Sequence, residues 1–104
     1  MIIYEVNCLV DNGIVDEFRA WLKPHVEAVL KADGFQSAEV LNLTDDDQLT
    51  ARPYSTGFSI RYRVSEQSAL DHYLLHLAPA LRKDGIDTFG DQFTAYRRVL
   101  KADA

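Results

Sequence analysis

The sequence predicts an α+β fold in which a four-stranded antiparallel sheet carries two helices on one face. Three observations predict it. Residues 2–10 and 54–64 alternate apolar with polar, as half-buried strands do. Apolar residues recur at helical spacing after each of these strands. The resulting order, β-α-β-β-α-β, runs the same unit twice.

In the first strand Ile2, Tyr4, Val6, Cys8 and Val10 share one parity, and Ile3, Glu5, Asn7 and Leu9 the other. One face is therefore core. Asp11-Asn12-Gly13 supplies turn and N-cap chemistry, and from Ile14 apolar residues at 14, 18, 21, 22, 25/26 and 29 trace a helical stripe that stops near Asp33-Gly34. Pro24 falls inside this helix and removes an amide donor, so a kink or restart is expected there. Phe35 to Leu43 reads as a second strand whose poor alternation suits a sheet edge. Asp45 to Pro53 has no period and three consecutive acids; it reads as a long solvated loop, since an EF-hand needs its acids at alternate positions.

Tyr54 to Val64 forms the third strand, with Phe58, Ile60 and Tyr62 on the core parity and Ser59, Arg61 and Arg63 on the other. Ser65 is placed to cap a second helix marked by Leu70, Leu74, Leu77 and Leu81 and interrupted at Pro79. Gly90-Asp91 closes it. Gln92 to Leu100 is the last strand, Phe93, Ala95 and Val99 inward and Thr94, Tyr96 and Arg98 outward. Phe18, Trp21, Leu74 and Leu77 are expected in the core. A duplicated split βαβ of this kind is the ferredoxin-like βαββαβ arrangement, strand order 4-1-3-2, with both helices on one face.

The 104 residues suit a single domain spanning 1–104, and 47% apolar with 26% charged residues is the composition of a soluble globular chain. A net charge of −5 disfavours nucleic acid and anionic membrane surfaces as partners. The N-terminal segment lacks a cationic lead-in and a cleavage signal, and the lone Cys8 suits a reducing compartment, so a cytoplasmic location is expected. No cofactor and no metal are expected. His72 and His76 have metal-pair spacing, but at 100° per residue they fall about 200° and 240° from Leu70, away from the leucine stripe, with no third ligand in view.

Met1-Ile2-Ile3-Tyr4-Glu5-Val6, Trp21-Leu22 with His25, and above all Ala78-Pro79-Ala80-Leu81-Arg82 followed by Phe89-Gly90-Asp91-Gln92-Phe93 and Arg97-Arg98 resemble a family of small bacterial proteins known only as a domain of unknown function. Many members carry His-Ile-Pro where His25-Val26-Glu27 stands, and a histidine at the position of Leu77. The resemblance covers nearly the whole chain. It implies a fold similar to the dimeric α+β barrels, a superfamily that includes cofactor-free monooxygenases, and implies no established activity.

Candidate functional residues divide between the two sheet faces. His25 falls about 20° from Ile14, inside the apolar stripe, where a histidine is either a satisfied core residue or a general base lining a pocket. Cys8 reads as core. On the outward face Glu5, Asn7, Arg61, Arg63, Tyr96 and Arg98 come together, three arginines against one glutamate. Two such faces packed in a homodimer would enclose a polar space suited to a small anionic ligand. The alternative function is a cofactor-free monooxygenase-like or isomerase-like enzyme using His25 or Tyr96 as acid or base. An RNA-binding sheet is disfavoured, because Phe58 and Tyr62 lie on the helix side rather than on an open stacking platform.

Overall fold

A computed structural model describes residues 1–103. Four strands, β1 (Ile2–Asp11), β2 (Phe35–Leu43), β3 (Ser55–Val64) and β4 (Phe93–Lys101), form one antiparallel sheet in the order β2-β3-β1-β4. Helices α1 (Val15–Val29), α3 (Gln67–His76) and α4 (Ala78–Phe89) supply the covering layer, and a one-turn helix, α2 (Asp47–Thr50), lies between β2 and β3. This is the ferredoxin-like βαββαβ arrangement of an α+β fold.

The pleat of β1 sets the register of the whole sheet. Tyr4 stands opposite Tyr62 on β3 and Val99 on β4, whereas Glu5 stands opposite Arg61 and Arg98. The poor alternation of β2 has a local cause: an irregularity between Phe35 and Ser37 shifts the pairing, so Phe35 and then Ala38 both face the helices. In α1 the buried residues are Phe18, Leu22, Val26 and Val29, one stripe at helical spacing. Phe18 is fully buried, with the rings of Phe58, Trp21, Phe89 and Phe93 centred 5.5–5.7 Å from its own.

Several expectations are corrected. Helix α1 runs through Pro24 with no restart; Ala20, whose carbonyl loses its amide partner, is on the exposed face, where water can serve instead. The second predicted helix is two, because Leu77 leaves helical geometry (φ −115°) and α4 starts afresh with Pro79 in its first turn. Leu77 is consequently exposed rather than core, and Trp21 and Leu74 are only half-buried. Ser65 does not cap α3, which has Glu66 at its N-cap and no side-chain cap. Its amide instead donates to the carbonyl of Gly34, a residue held at φ +83°, where a Cβ would meet Ala69 at 2.5 Å. The 45–53 segment is not a free solvated loop: Asp46 caps α2, accepting from the Gln48 and Leu49 amides, and Arg52 donates to Asp11 at 2.9 Å and to the Asp91 carbonyl.

Candidate functional site

The helix-covered face is not fully packed. A cavity of about 380 Å³ lies between the sheet and helices α1 and α4. Tyr4, Val6 and Cys8 of β1 and Ala95 and Arg97 of β4 form its floor, because these residues share the inward parity and β4 pairs Arg97 with Val6. Trp21 and His25 enter from α1, Arg82 and Gly85 from α4, and Tyr73 from α3. The wall is mostly aromatic and aliphatic, with a few polar groups pointed inward, the usual constitution of a small-molecule site.

The half-buried His25 stacks on Trp21, ring centroids 4.3 Å apart and 23° from parallel. The Trp21 indole N–H donates to Asp84 at 3.0 Å, which fixes the indole and with it the imidazole. Gly85 makes room for this arrangement: a Cβ there would lie 3.2 Å from Trp21. A glycine inside a helix costs about 1 kcal/mol relative to alanine, so its presence in α4 is explained by the ring it accommodates. Burial pushes the His25 imidazole below its ordinary pKa, partly opposed by the Asp84 charge, while the Arg97 guanidinium pushes in the same direction as burial. The imidazole is therefore neutral at pH 7. Burial raises the Cys8 thiol to about 12 and the Tyr73 hydroxyl to about 12, so neither is an anion at neutral pH.

The opposite face carries a different chemistry. Glu5, only 1% exposed, accepts from Arg98 at 2.7 Å, from Arg61 at 3.0 Å and from the Asn7 amide at 2.9 Å. Burial alone would raise its pKa; the hydrogen bonds from Arg98 and Asn7 and the charges of both arginines outweigh burial and hold the carboxyl below its ordinary value. The Tyr96 hydroxyl donates to Asp46, so the segment leaving β2 reaches across the outer face to β4, the opposite edge strand. Leu9, Asn7 and Ser59 are buried on this face. With its N–H2 turned to the acceptor-only carboxylate of Glu5, Asn7 is left with an Oδ1 that is buried and has no partner among the described residues.

The two candidate acid–base residues thus lie on opposite sides of the sheet, His25 in the cavity and Tyr96 on the outer face. The six outward residues do share one face. Two of its three arginines are matched to Glu5, and Arg63, opposite Ile3, makes no ion pair among the described residues. His72 and His76 lie side by side on the exposed side of α3, ring centroids 4.5 Å apart and tilted by 45°, and no group of three metal-ligating side chains occurs among the described residues. Arg82, Arg97 and Tyr73 were not singled out from the sequence as cavity residues. For Arg97 a signal existed: it has the parity of Ala95 and Val99, a charge on the inward face of a strand.

A family model described as Domain of unknown function (DUF4286) matches residues 1–102. The chain belongs to this family. Among curated proteins none matches it. Among solved structures it is similar to a variant of SnoaB, a cofactor-independent oxygenase from Streptomyces nogalater, with 14% identity over 99% of this chain and 94% of that one and a TM-score of 0.69. A Deinococcus radiodurans protein named provisionally as an antibiotic biosynthesis monooxygenase matches at 16% identity over 100% and 94%, TM-score 0.70. The de novo designed protein Foldit4 matches at 15% identity over 98% of each chain, TM-score 0.60. At such identities the likeness is one of fold, and a designed neighbour makes plain that the fold alone carries no activity. No helix is long and apolar enough to cross a membrane among the described residues.

Proposed function

We propose that the cavity under the helices is the working site and that it performs cofactor-free proton transfer on a small aromatic substrate bearing an acidic C–H or O–H. The observation that carries this reading is a neutral imidazole, oriented by Trp21, in a mainly apolar cavity that two guanidinium groups also face. His25 accepts the proton, and the enolate or phenolate left behind is stabilised by Arg97, whose charge already acts on the imidazole. Returning the proton to another atom of the anion is an isomerisation. If dioxygen instead adds to the carbanion, a hydroperoxide forms that loses water to give a ketone, a monooxygenase reaction in keeping with what its structural neighbours are named for. The cavity volume suits one to three fused rings, within the ~300–1,000 Å³ range of small-molecule sites.

The test is solvent deuterium exchange into a panel of bicyclic and tricyclic enols and phenols, with oxygen uptake measured in parallel. Exchange catalysed by the wild type and lost in His25→Ala, with an unchanged melting temperature, supports the reading. Equal exchange by both proteins rejects it.

A second reading concerns the outer face, favoured by the orphaned Asn7 Oδ1 and the unpaired Arg63. We propose that two copies pack through this face as a homodimer and hold a small polar or anionic ligand among Glu5, Asn7, Arg61, Arg63, Tyr96 and Arg98. Ile3, Leu41 and Leu100 supply the apolar contact. A cytoplasmic setting accompanies both readings, since Cys8 is a buried free thiol. Light scattering should give twice the 11.8 kDa chain mass at micromolar concentration; a monomer throughout rejects the dimer.

A further inference from the structure

The cavity has one end of distinct composition. We propose, resting on the cavity reading above, that its Tyr4–Tyr62–Tyr73–Arg82 end receives a carboxylate, so that the substrate class is an aromatic acid whose reacting atom lies toward His25.

Tyr4 lies between the other two tyrosines, 6.0 Å from each by ring centroid, and all three are at most 4% exposed. Phe35 closes the back of the cluster, 5.8 Å from Tyr62 and 4.8 Å from Tyr73. A buried phenol almost always has a hydrogen-bond partner, because desolvating a hydroxyl without one is costly. Here Arg82 donates to the Tyr4 oxygen at 3.2 Å, and among the described residues the hydroxyls of Tyr62 and Tyr73 make no protein hydrogen bond although neither oxygen is sealed off, so both are open to the cavity their residues line. Arg82 makes no ion pair there either. The end of the cavity therefore gathers three O–H groups and a guanidinium with no carboxylate among them.

An acceptor-only group with several lone pairs complements that set. A carboxylate offers two oxygens and about four acceptor sites, enough for the guanidinium and the phenols together, whereas an ester or ketone offers a single carbonyl and no charge. The tyrosines do not compete as anions: burial raises Tyr73 to about 12 and Tyr62 higher still, so both stay protonated donors at neutral pH. The geometry also sets the direction of the ligand. From Tyr4 along β1 to Cys8 is about 13 Å at ~3.3 Å per residue; Trp21 packs toward the far end against Gly85, whose own neighbour there is Phe93, the partner of Val10, and His25, one helical turn further along α1, stacks on Trp21. A carboxylate held at the tyrosines lays the aromatic body over Val6 and Ile60, toward the imidazole.

Isothermal titration with 6-hydroxy-2-naphthoate, whose hydroxyl lies at the end of the ring system opposite its carboxylate, and with its methyl ester separates the two levels of the idea. The wild type should bind the acid about tenfold or more tighter than the ester. The Tyr62→Phe/Tyr73→Phe double variant, which keeps both rings, should lose that preference while its affinity for the ester is unchanged. Should the double variant fail to fold, Arg82→Gln takes its place with the same expectation. Acid and ester bound equally by the wild type, or a preference that survives these substitutions, overturns the carboxylate assignment and leaves the cavity reading intact. Binding of neither compound overturns both.

Discussion

β1 is shared by two surfaces that treat charge in opposite ways. On the outer face a single buried carboxylate, Glu5, is saturated by two arginines and an amide, and the strap between β2 and β3 is fastened over the far end of the same face through Tyr96 and Asp46. On the helix side Arg82 and Arg97 face a cavity with no carboxylate paired to either among the described residues. The first arrangement is internally satisfied apart from Asn7 and Arg63, whereas the second leaves two guanidinium groups without a protein carboxylate, where the proposed ligand would sit. Two faces of one strand, offset by a single residue, can therefore divide structural electrostatics from candidate chemistry, since every shift of one residue reverses the face a side chain presents.

The comparison is tested first where the helices meet the sheet. Phe18→Ala removes a ring enclosed by four others at zero exposure and should lower stability by about 3–5 kcal/mol. Trp21→Ala should cost less, because the indole is half-buried and borders the cavity. Urea midpoints of the two variants check the order. A larger loss for Trp21→Ala would mean that the cavity wall, rather than Phe18, holds the helices to the sheet.

On the outer face Glu5→Gln should cost about 1–2 kcal/mol at pH 7, less than a fully buried pair because both arginines are about half exposed. The pH dependence has a definite sign. The Glu5 pKa is lower folded than unfolded, so the unfolded chain takes up the proton first; the stabilisation is complete above the ordinary value of 4.5 and is lost as pH falls through the depressed folded value. The His25 imidazole, also depressed, weakens the fold as pH falls below the ordinary 6.5. Urea midpoints from pH 7 to pH 3 should decline in two stages, and Glu5→Gln should flatten only the lower one. A variant that keeps the full acid decline would place the titrating carboxylate elsewhere.

The sequence made much of this division legible, for a simple reason. In β1 and β3 one face meets the helices, so alternation reports the face directly, and Glu5, Asn7, Arg61 and Arg98 could be assembled from parity alone. His25 could be placed by its helical angle. What stayed hidden depended on tertiary events without a period. The irregularity between Phe35 and Ser37 inverted the parity of β2. The break at Leu77 turned a residue of the leucine stripe outward. The strap of residues 45–53 reads as solvated loop because its order comes from Arg52, Asp46 and Tyr96, contacts made across about 40 to 50 positions of sequence. The cavity escaped notice because a void is a deficit of packing, and no local pattern records one.

The smallest expected effect belongs to that strap. Tyr96→Phe deletes the hydroxyl that reaches Asp46 and should loosen the strap locally, by no more than the worth of one solvent-screened hydrogen bond. The global urea midpoint should barely move, since Asp46 still caps α2 and Arg52 still holds Asp11. Hydrogen exchange should accelerate at the amides of residues 47–51, because a segment fastened by a few side chains opens on its own, below the energy of global unfolding. The Tyr96 hydrogen bond is also the largest influence holding the Asp46 carboxyl below its ordinary pKa, so that carboxyl should titrate higher in the variant, as carbon-detected NMR would read directly. If exchange is unchanged while the global midpoint falls as far as in Glu5→Gln, the strap is an integral part of the sheet rather than a separately opening cover. The outer face would then be one cooperative unit from Asn7 to Asp46, and the surface left for a second copy would be confined to the Ile3, Arg63 and Leu100 end.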